Sequence, residues 1–429
     1  MSGIANPRHP AKRLIGEEEP IYFNVTPMNN NTSLWSNRGF LLVWAGQTLS
    51  MFGSRLTYIA LLWWVLEKTG SATALAGVAI ATVLPTFFLG PIAGVFIDRL
   101  DRRRLMLAMD MVNGLIIGTA ATLLFIGRLQ IWQIYLFSIL SSTATVFHRP
   151  SLQSSIPNLV EPEQLTKANS LYQISNGITG VAGPALGGIL VGFIGSGPTM
   201  WVDAITFFVA GISLSLVAFP SPRAVASSGL RSIFSDTLSG FRFLYHKKTL
   251  LFMLLLFALV NFLLAPTSVL FPIMAKNVLN VGAQGFGLFG SAISVGMIFG
   301  GLLTARLKRF RHHGLGIICG LVLLGVMLAV FGCSRNMILS MLSLAIVGLA
   351  VAIVNTLEAV IFQTRVPNEL QGRVFAAQSA ITDGLQPISL ALTGALLAVL
   401  SAPTITIASG VAAALAGLGA LAAKRMREL

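Results

Sequence analysis

The sequence predicts an all-α membrane protein of twelve transmembrane helices in two parallel six-helix repeats. Three observations predict it. Only 10% of the 429 residues are charged and 55% are hydrophobic, whereas soluble chains carry about 25% charged residues. Apolar stretches of about 20 residues, enough to cross a bilayer core, recur from end to end. A charged stretch, "GVFIDRLDRRR" at 94–104, returns as "GLLTARLKRFR" at 301–311. Lipid offers the backbone no water, so each crossing must be a helix, and the alternation of a membrane barrel is missing.

Taken in order, residues 1–37 are polar and broken ("GEEEP", "MNNNTSLWSN") and read as a disordered cytoplasmic tail, not a signal peptide. Spans follow at 40–66, 73–97, 105–127, 131–156, 168–194 and 198–219, forming a first bundle over 38–219. The linker, 220–248, contains "LRSIFSDTLSGFRFLYHKK". Leu230, Ile233, Phe234, Leu238, Phe241 and Leu244 share one helical face there, with Arg231, Arg242, Lys247 and Lys248 beside it. That pattern suits a helix in the inner membrane interface or a plain surface linker. Spans at 249–275, 284–306, 313–333, 337–365, 373–399 and 402–423 form a second bundle over 249–424, and 425–429 is a cytoplasmic tail. No room remains for a sizeable extramembrane domain.

The net charge is +14. All but five of the 29 lysines and arginines lie in alternate loops, the tails or the adjoining helix ends; the five are Arg55, Lys68, Arg128, Lys276 and Arg335. This bias puts the basic loops and both termini in the cytoplasm. The basicity is therefore topological, with membrane lipid as a partner and nucleic acid excluded. Cys319 and Cys333 share one span and stand about 21 Å apart along it, too far to bridge.

In the charged stretch, Gly94 would admit a neighbouring helix. Asp98, at a helix end near the membrane, is costly unless paired. Its partner could be Arg102, or the positive end of the helix starting at Gly372–Arg373. Contacts that form in one conformation and break in another make a latch. Read only as topology signals, Arg99, Arg102, Arg103 and Arg104 leave Gly94 and Asp98 without a reason. A second echo supports duplication: Pro162, Leu165 and Gln173 in "VEPEQLTKANSLYQ" match Pro367, Leu370 and Gln378 in "PNELQGRVFAAQ", at nearly the same offset.

The stretch resembles the signature between helices two and three of the major facilitator superfamily, Gly-x-x-x-Asp-Arg-x-Gly-Arg-Arg. Gly94, Asp98, Arg99, Arg102 and Arg103 match, and Asp101 replaces the usual second glycine. The resemblance implies a gate on the cytoplasmic side and a worn copy in the second half. Gly301, Arg306 and Arg309 survive there, while Ala305 has lost the acid. The resemblance covers the chain after residue 37 and implies the major facilitator fold, with a midplane site and rocking-bundle transport. In the fifth span, "NGITGVAGPALGGILVGFIG" holds Gly183, Pro184, Gly187 and Gly188. These residues read either as tight packing with a kink, or as the antiporter motif of the superfamily's drug exporters, which they resemble. "GPIAGVFIDR" and "VPNELQGRVFA" resemble the macrolide-efflux and enterobactin-exporter group. The arginine-bearing fourth-helix motif of many drug–proton antiporters is not evident.

Polar faces on apolar helices point to a path. Ser379, Thr382, Asp383 and Gln386 form one stripe; Asn169, Gln173, Asn176 and Gly180 form another. Gln47, Ser50, Ser54 and Tyr58 form a third, with Arg55 at its edge, and Asn355 lies three before Glu358, with Arg365 further on. Arg55, Glu358 and Asp383 lie well inside their spans, where an unpaired charge costs at least about 2.5 kcal/mol. Each is half of a fixed ion pair, a substrate or proton site, or a residue near the edge of a span drawn too long. Coupling needs a carboxylate whose proton affinity follows its exposure; Asp383 is the first choice and Glu358 the second. Asp110 and Asp203 suit anchors, and Trp63–Trp64 an interfacial belt.

No H-E-x-x-H, G-x-S-x-G, cysteine–histidine cluster or G-x-x-x-x-G-K-[ST] occurs, which argues against an enzyme, a metal site or a nucleotide-driven pump. The sequence thus predicts no catalytic residue and no cofactor besides a proton gradient. It predicts a monomeric secondary transporter of the inner or plasma membrane that exports small amphiphilic compounds of the drug or macrolide kind in exchange for protons. Export of a siderophore or lipid, uptake, and a non-transporting receptor or scaffold are the alternatives.

Overall fold

The computed structural model describes residues 33–217, 230–306 and 313–422, nearly all of them helical. The first helices are α1 (Arg38–Thr69), α2 (Ala72–Arg99), α3 (Arg102–Phe125), α4 (Ile131–Ser155), α5 (Leu165–Ile194) and α6 (Ser196–Leu216). Short polar side chains set several starts by accepting otherwise orphaned backbone N–H groups. Asn37 accepts from Phe40 at 2.9 Å, Ser71 from Ala74 at 3.2 Å and Asp101 from Arg104 at 3.0 Å. Gly70 stops α1 with a φ of +59°, a conformation glycine adopts without steric cost.

The last residues of the expected tail are among those described. Residues 33–37 are ordered: Leu34–Ser36 make one 3-10 turn, Leu34 is buried, and Asn37 Nδ2 donates to Leu159 at 2.8 Å. Residues 1–32 lie outside the described residues, as do 218–229 of the linker and 423–429 at the other end. The linker's amphipathic stretch forms α7 (Leu230–His246). Gly240 lies against the backbone of Arg373 and Val374, and Leu244 is fully buried beside Phe362, Val374 and Ala377.

The expected span 249–275 is broken. It runs as α8 (Lys248–Leu264), α9 (Thr267–Ile273) and a single π turn, Met274–Val278. Pro266 and Pro272 supply the reason, since neither can donate to the preceding turn. Then come α10 (Gly282–Arg306), α11 (His313–Cys333), α12 (Met337–Arg365), α13 (Asn368–Leu396) and α14 (Ala402–Ala422).

Among the described residues, ten helices are long and apolar enough to cross a membrane. Two of the expected spans, α4 and α13, fall outside that set at 25 and 29 residues. Gln133, Ser138, Ser141 and Ser142 interrupt one apolar run; Arg373, Gln378, Asp383 and Gln386 interrupt the other.

Helix pairs α1–α6, α3–α6, α2–α4 and α3–α4 pack together, as do α10–α12, α11–α12 and α11–α14. Two further pairs, α5–α10 and α2–α13, join these sets. Phe271, Phe289 and Phe331 meet edge to face, with centroids 5.2–6.2 Å apart. Trp63, expected in an interfacial belt, is instead buried, and its indole N–H donates to Glu67 at 2.7 Å.

Candidate functional site

Where α1, α2, the α8–α9 break and α13 meet, they line a partly open cavity of about 300 Å³. Its polar lining is Tyr58, Thr82, Thr267, Ser268 and Gln386, among leucine, valine and alanine side chains. Arg55 precedes Tyr58 by three residues and Asp383 precedes Gln386 by three. Each therefore projects from the same helix face, about 4.5 Å nearer the end that bears the α2–α3 connection. That end is rich in basic residues and is called the basic end below.

At mid-depth and toward the opposite end the helices pack closely. Here α5 is wedged between α1 and α10 by Gly183, Pro184, Gly187 and Gly188. A Cβ on Gly183 would come within 2.6 Å of Arg55 Cβ, and one on Gly187 within 3.2 Å of Leu56 Cα. On the other side, a Cβ on Gly188 would strike the Ala283 carbonyl and one on Gly287 the Pro184 carbonyl. Ser291 donates to the Val181 carbonyl at 2.5 Å, Thr73 to Gly394 at 3.5 Å, and Lys276 Nζ to Leu66 at 3.2 Å. Backbones this close leave no room for a side chain between α5 and α10.

The basic end differs. Gly94 was expected to receive a neighbouring helix, but a Cβ there would meet nothing within 4 Å; the same holds for Gly301 and Gly372. Gly70, Gly127, Gly195 and Gly282 at the opposite end are equally clear, so the space at Gly94 is a local feature of the α2–α3 stretch. Its arginines are occupied: Arg102 donates to the Ser154 carbonyl at the end of α4, at 3.0 Å. Arg103 donates to Leu214 and Ser215 at the end of α6, at 2.9 and 2.6 Å. A cation at a helix C-terminus satisfies orphan carbonyls and complements the helix dipole. Arg99 and Arg306 are exposed. The Asp98 side chain and all of Arg309 lie outside what is described.

The expected polar stripe on α1 splits. Gln47 and Ser50 point away from the path; Gln47 donates to the buried Asp110 at 2.9 Å. Ser54, Arg55 and Tyr58 remain exposed. On α5, Gln173 is exposed, Asn176 bonds its own helix at Tyr172 (3.1 Å), and Gly180 packs on Ser294. On α12, Asn355 and Arg365 are exposed and Glu358 accepts from Gln378 of α13 at 2.7 Å. Among the described residues, neither Arg55 nor Asp383 has a hydrogen bond or ion pair. The alternative of fixed ion pairs for these residues is therefore not what this state contains. No three histidine, cysteine or acidic side chains converge on a metal position among the described residues.

A family model described as transmembrane secretion effector, within the major facilitator superfamily, matches residues 31–428. The chain belongs to this family of transporters. The transporter is 27% identical over 356 residues to macrolide efflux protein A of Streptococcus pyogenes, covering 82% of this chain and 88% of that protein. It is 26% identical over 384 residues to the multidrug efflux pump Tap of Mycolicibacterium fortuitum, covering 88% and 93%. Its fold resembles the nucleoside transporter NupG at a TM-score of 0.72 and 13% identity, covering 90% and 98%. It also resembles a bacterial homologue of ferroportin in an inward-facing state at 0.69 and 19%, covering 91% and 99%.

Sequence reasoning missed several parts of the transporter. Thr82 and the α8–α9 break enter the cavity, yet neither lies on a polar stripe. Gln284, Gly287 and Gly290 complete the α5–α10 contact, and only the glycine spacing of α10 signals it. Asp101, where a glycine is usual, caps α3. His148 Nε2 lies 3.1 Å from Asp110 Oδ1, so α1, α3 and α4 meet at one buried carboxylate.

Proposed function

We propose that the transporter exports amphiphilic organic compounds in exchange for protons, by alternating access. The observation that carries this reading is the cavity shared by the two sequence halves, where α1 and α2 meet the α8–α9 break and α13. A cavity between helices of two halves is where alternating access places its cargo. In this reading α1–α6 and α8–α14 form two six-span bundles, over 38–219 and 249–424, that rock about the cavity. The polar α4 and α13 count as spans because their polar side chains face neighbouring helices and the cavity, as Ser142 and Gln386 do, and not lipid. The sequence echoes support duplication, since they fall at the α2–α3 and α10–α11 connections and at the starts of α5 and α13.

The basic end faces the cytoplasm with both termini, and a monomer suffices in the inner or plasma membrane. Asp383 and Glu358 carry the proton; Gln173, Asn176, Asn355 and Gln386 line the path. Gly94, Asp98, Arg99, Arg102 and Arg103 gate the cytoplasmic mouth with Gly301, Arg306 and Arg309. The apolar cavity lining and the efflux names of the relatives support a drug-like cargo. The test is radiolabelled erythromycin in everted membrane vesicles. Accumulation in an acidic lumen, lost on adding a protonophore, is the expected result. Accumulation that ignores the gradient, or that occurs only in right-side-out vesicles, overturns the reading.

A further inference from the structure

We propose that Tyr58 and Gln386 select the cargo, and that the part of it entering the cavity is an uncharged apolar body bearing a hydroxyl group. This rests on the transport reading above and names the class of cargo for the same site. Both halves of the chain wall the cavity. Tyr58 and Thr82 come from α1 and α2, Thr267 and Ser268 from the α8–α9 break, and Gln386 from α13. No lysine, arginine, aspartate or glutamate is among the described residues that line it; Arg55 and Asp383 stand one turn away, outside the lining. An ion held there would lose water without gaining a partner of opposite charge, which is costly.

A broken helix inside a membrane can offer loose carbonyls to a cation. Here the carbonyls of Phe262, Leu264, Ala265 and Pro266 are already taken. Pro266 has no N–H for the Phe262 carbonyl four residues back, and Ser389 of α13 fills the gap at 2.6 Å. Thr267 donates to Leu264 at 2.7 Å and Ser268 to Ala265 at 3.0 Å. The N–H groups of Val269 and Leu270 both reach the Pro266 carbonyl at 2.9 Å.

Thr82 spends its hydroxyl proton in the same way, on Val78 of its own helix at 2.9 Å. Thr82, Thr267 and Ser268 therefore keep only lone pairs for a guest. Tyr58 and Gln386 differ, because neither side chain has a hydrogen-bond partner among the described residues. They are the side-chain donors that the lining has left, one from each half of the chain. A guest hydroxyl donates and accepts at once, so it matches both kinds of group.

The test measures binding to the purified protein in nanodiscs, with uptake by protein-free discs subtracted. The probes are 2-naphthylmethanol, its hydrocarbon counterpart 2-ethylnaphthalene, the 2-naphthoate anion and the 2-naphthylmethylammonium cation. The alcohol should bind about fivefold tighter than the hydrocarbon and tighter than either ion. Tyr58→Phe alone should lower the alcohol-to-hydrocarbon ratio by about half, and Tyr58→Phe with Gln386→Leu should bring it to within about twofold of unity. Hydrocarbon affinity should stay unchanged in both, which separates lost recognition from a collapsed cavity. If the double variant fails to fold, Tyr58→Phe decides. An absent alcohol preference, tighter binding of either ion, or a preference that survives these variants overturns the proposal. Gradient-driven erythromycin export without the alcohol preference leaves the proposed function standing without these selectors; a preference that depends on Tyr58 and Gln386 without gradient-driven export does the reverse.

Discussion

The ammonium group of Lys276 donates to the carbonyl oxygen of Leu66 at 3.2 Å, tying the π turn after α9 to the last turn of α1. Leu66 also accepts from the backbone of Gly70, so the lysine completes a helix C-terminus as well as bridging the two elements. Hydrogen bonds to charged groups contribute about 1.5–3 kcal/mol. Lys276→Met should therefore raise the population open at this end by about tenfold or more. Spin labels at positions 71 and 398, with Cys319 and Cys333 replaced by serine, would report it as a longer distance component.

Close approach of α5 and α10 requires glycine at two facing positions. Gly188→Val or Gly287→Val forces a side chain into Ala283 or Pro184 and should abolish export while leaving membrane insertion intact. Gly301→Ala, with nothing within 4 Å, should leave insertion unchanged in the same expression and efflux assays.

Asp383 has no partner among the described residues and lies one turn from cavity-lining Gln386. Asp383→Asn keeps shape and removes the titratable proton. Gradient-driven erythromycin export should fall at least about a hundredfold, while exchange of labelled for unlabelled drug without a gradient continues. Export at the wild-type rate would remove Asp383 from the coupling step.

Arg103 closes the carbonyl end of α6 through Leu214 and Ser215. Arg103→Gln should cost about 1–2 kcal/mol, read as a lower melting temperature in detergent. Arg103→Lys should recover part of it, since a lysine supplies the charge without the fork.

Much of the fold was legible because lipid makes each crossing an uninterrupted apolar helix, and the spans from α1 to α3 and from α10 to α12 read directly. The seventh span also read directly, as Lys248–Val278, but its internal break did not, because Pro266 and Pro272 sit in an apolar run whose hydropathy gives no hint of it. The candidate site was half legible. Tyr58, Gln386 and Asp383 follow helical spacing and project from one face, so period alone found them. Gln47 shares the period of Tyr58 yet turns to Asp110, because helix α1 is polar on two sides and spacing cannot choose between them. Lys276 stood out only as a cation outside the basic loops, since its partner is a backbone carbonyl that carries no sequence signal.

Arg102 and Arg103 act as stoppers in the ends of α4 and α6, so the stretch proposed as a gate is also fastened to its own scaffold. A fastening of this kind would serve an importer and an exporter alike. Vectoriality must then be written elsewhere, in the chemistry of the chamber and in how readily each doorway springs open.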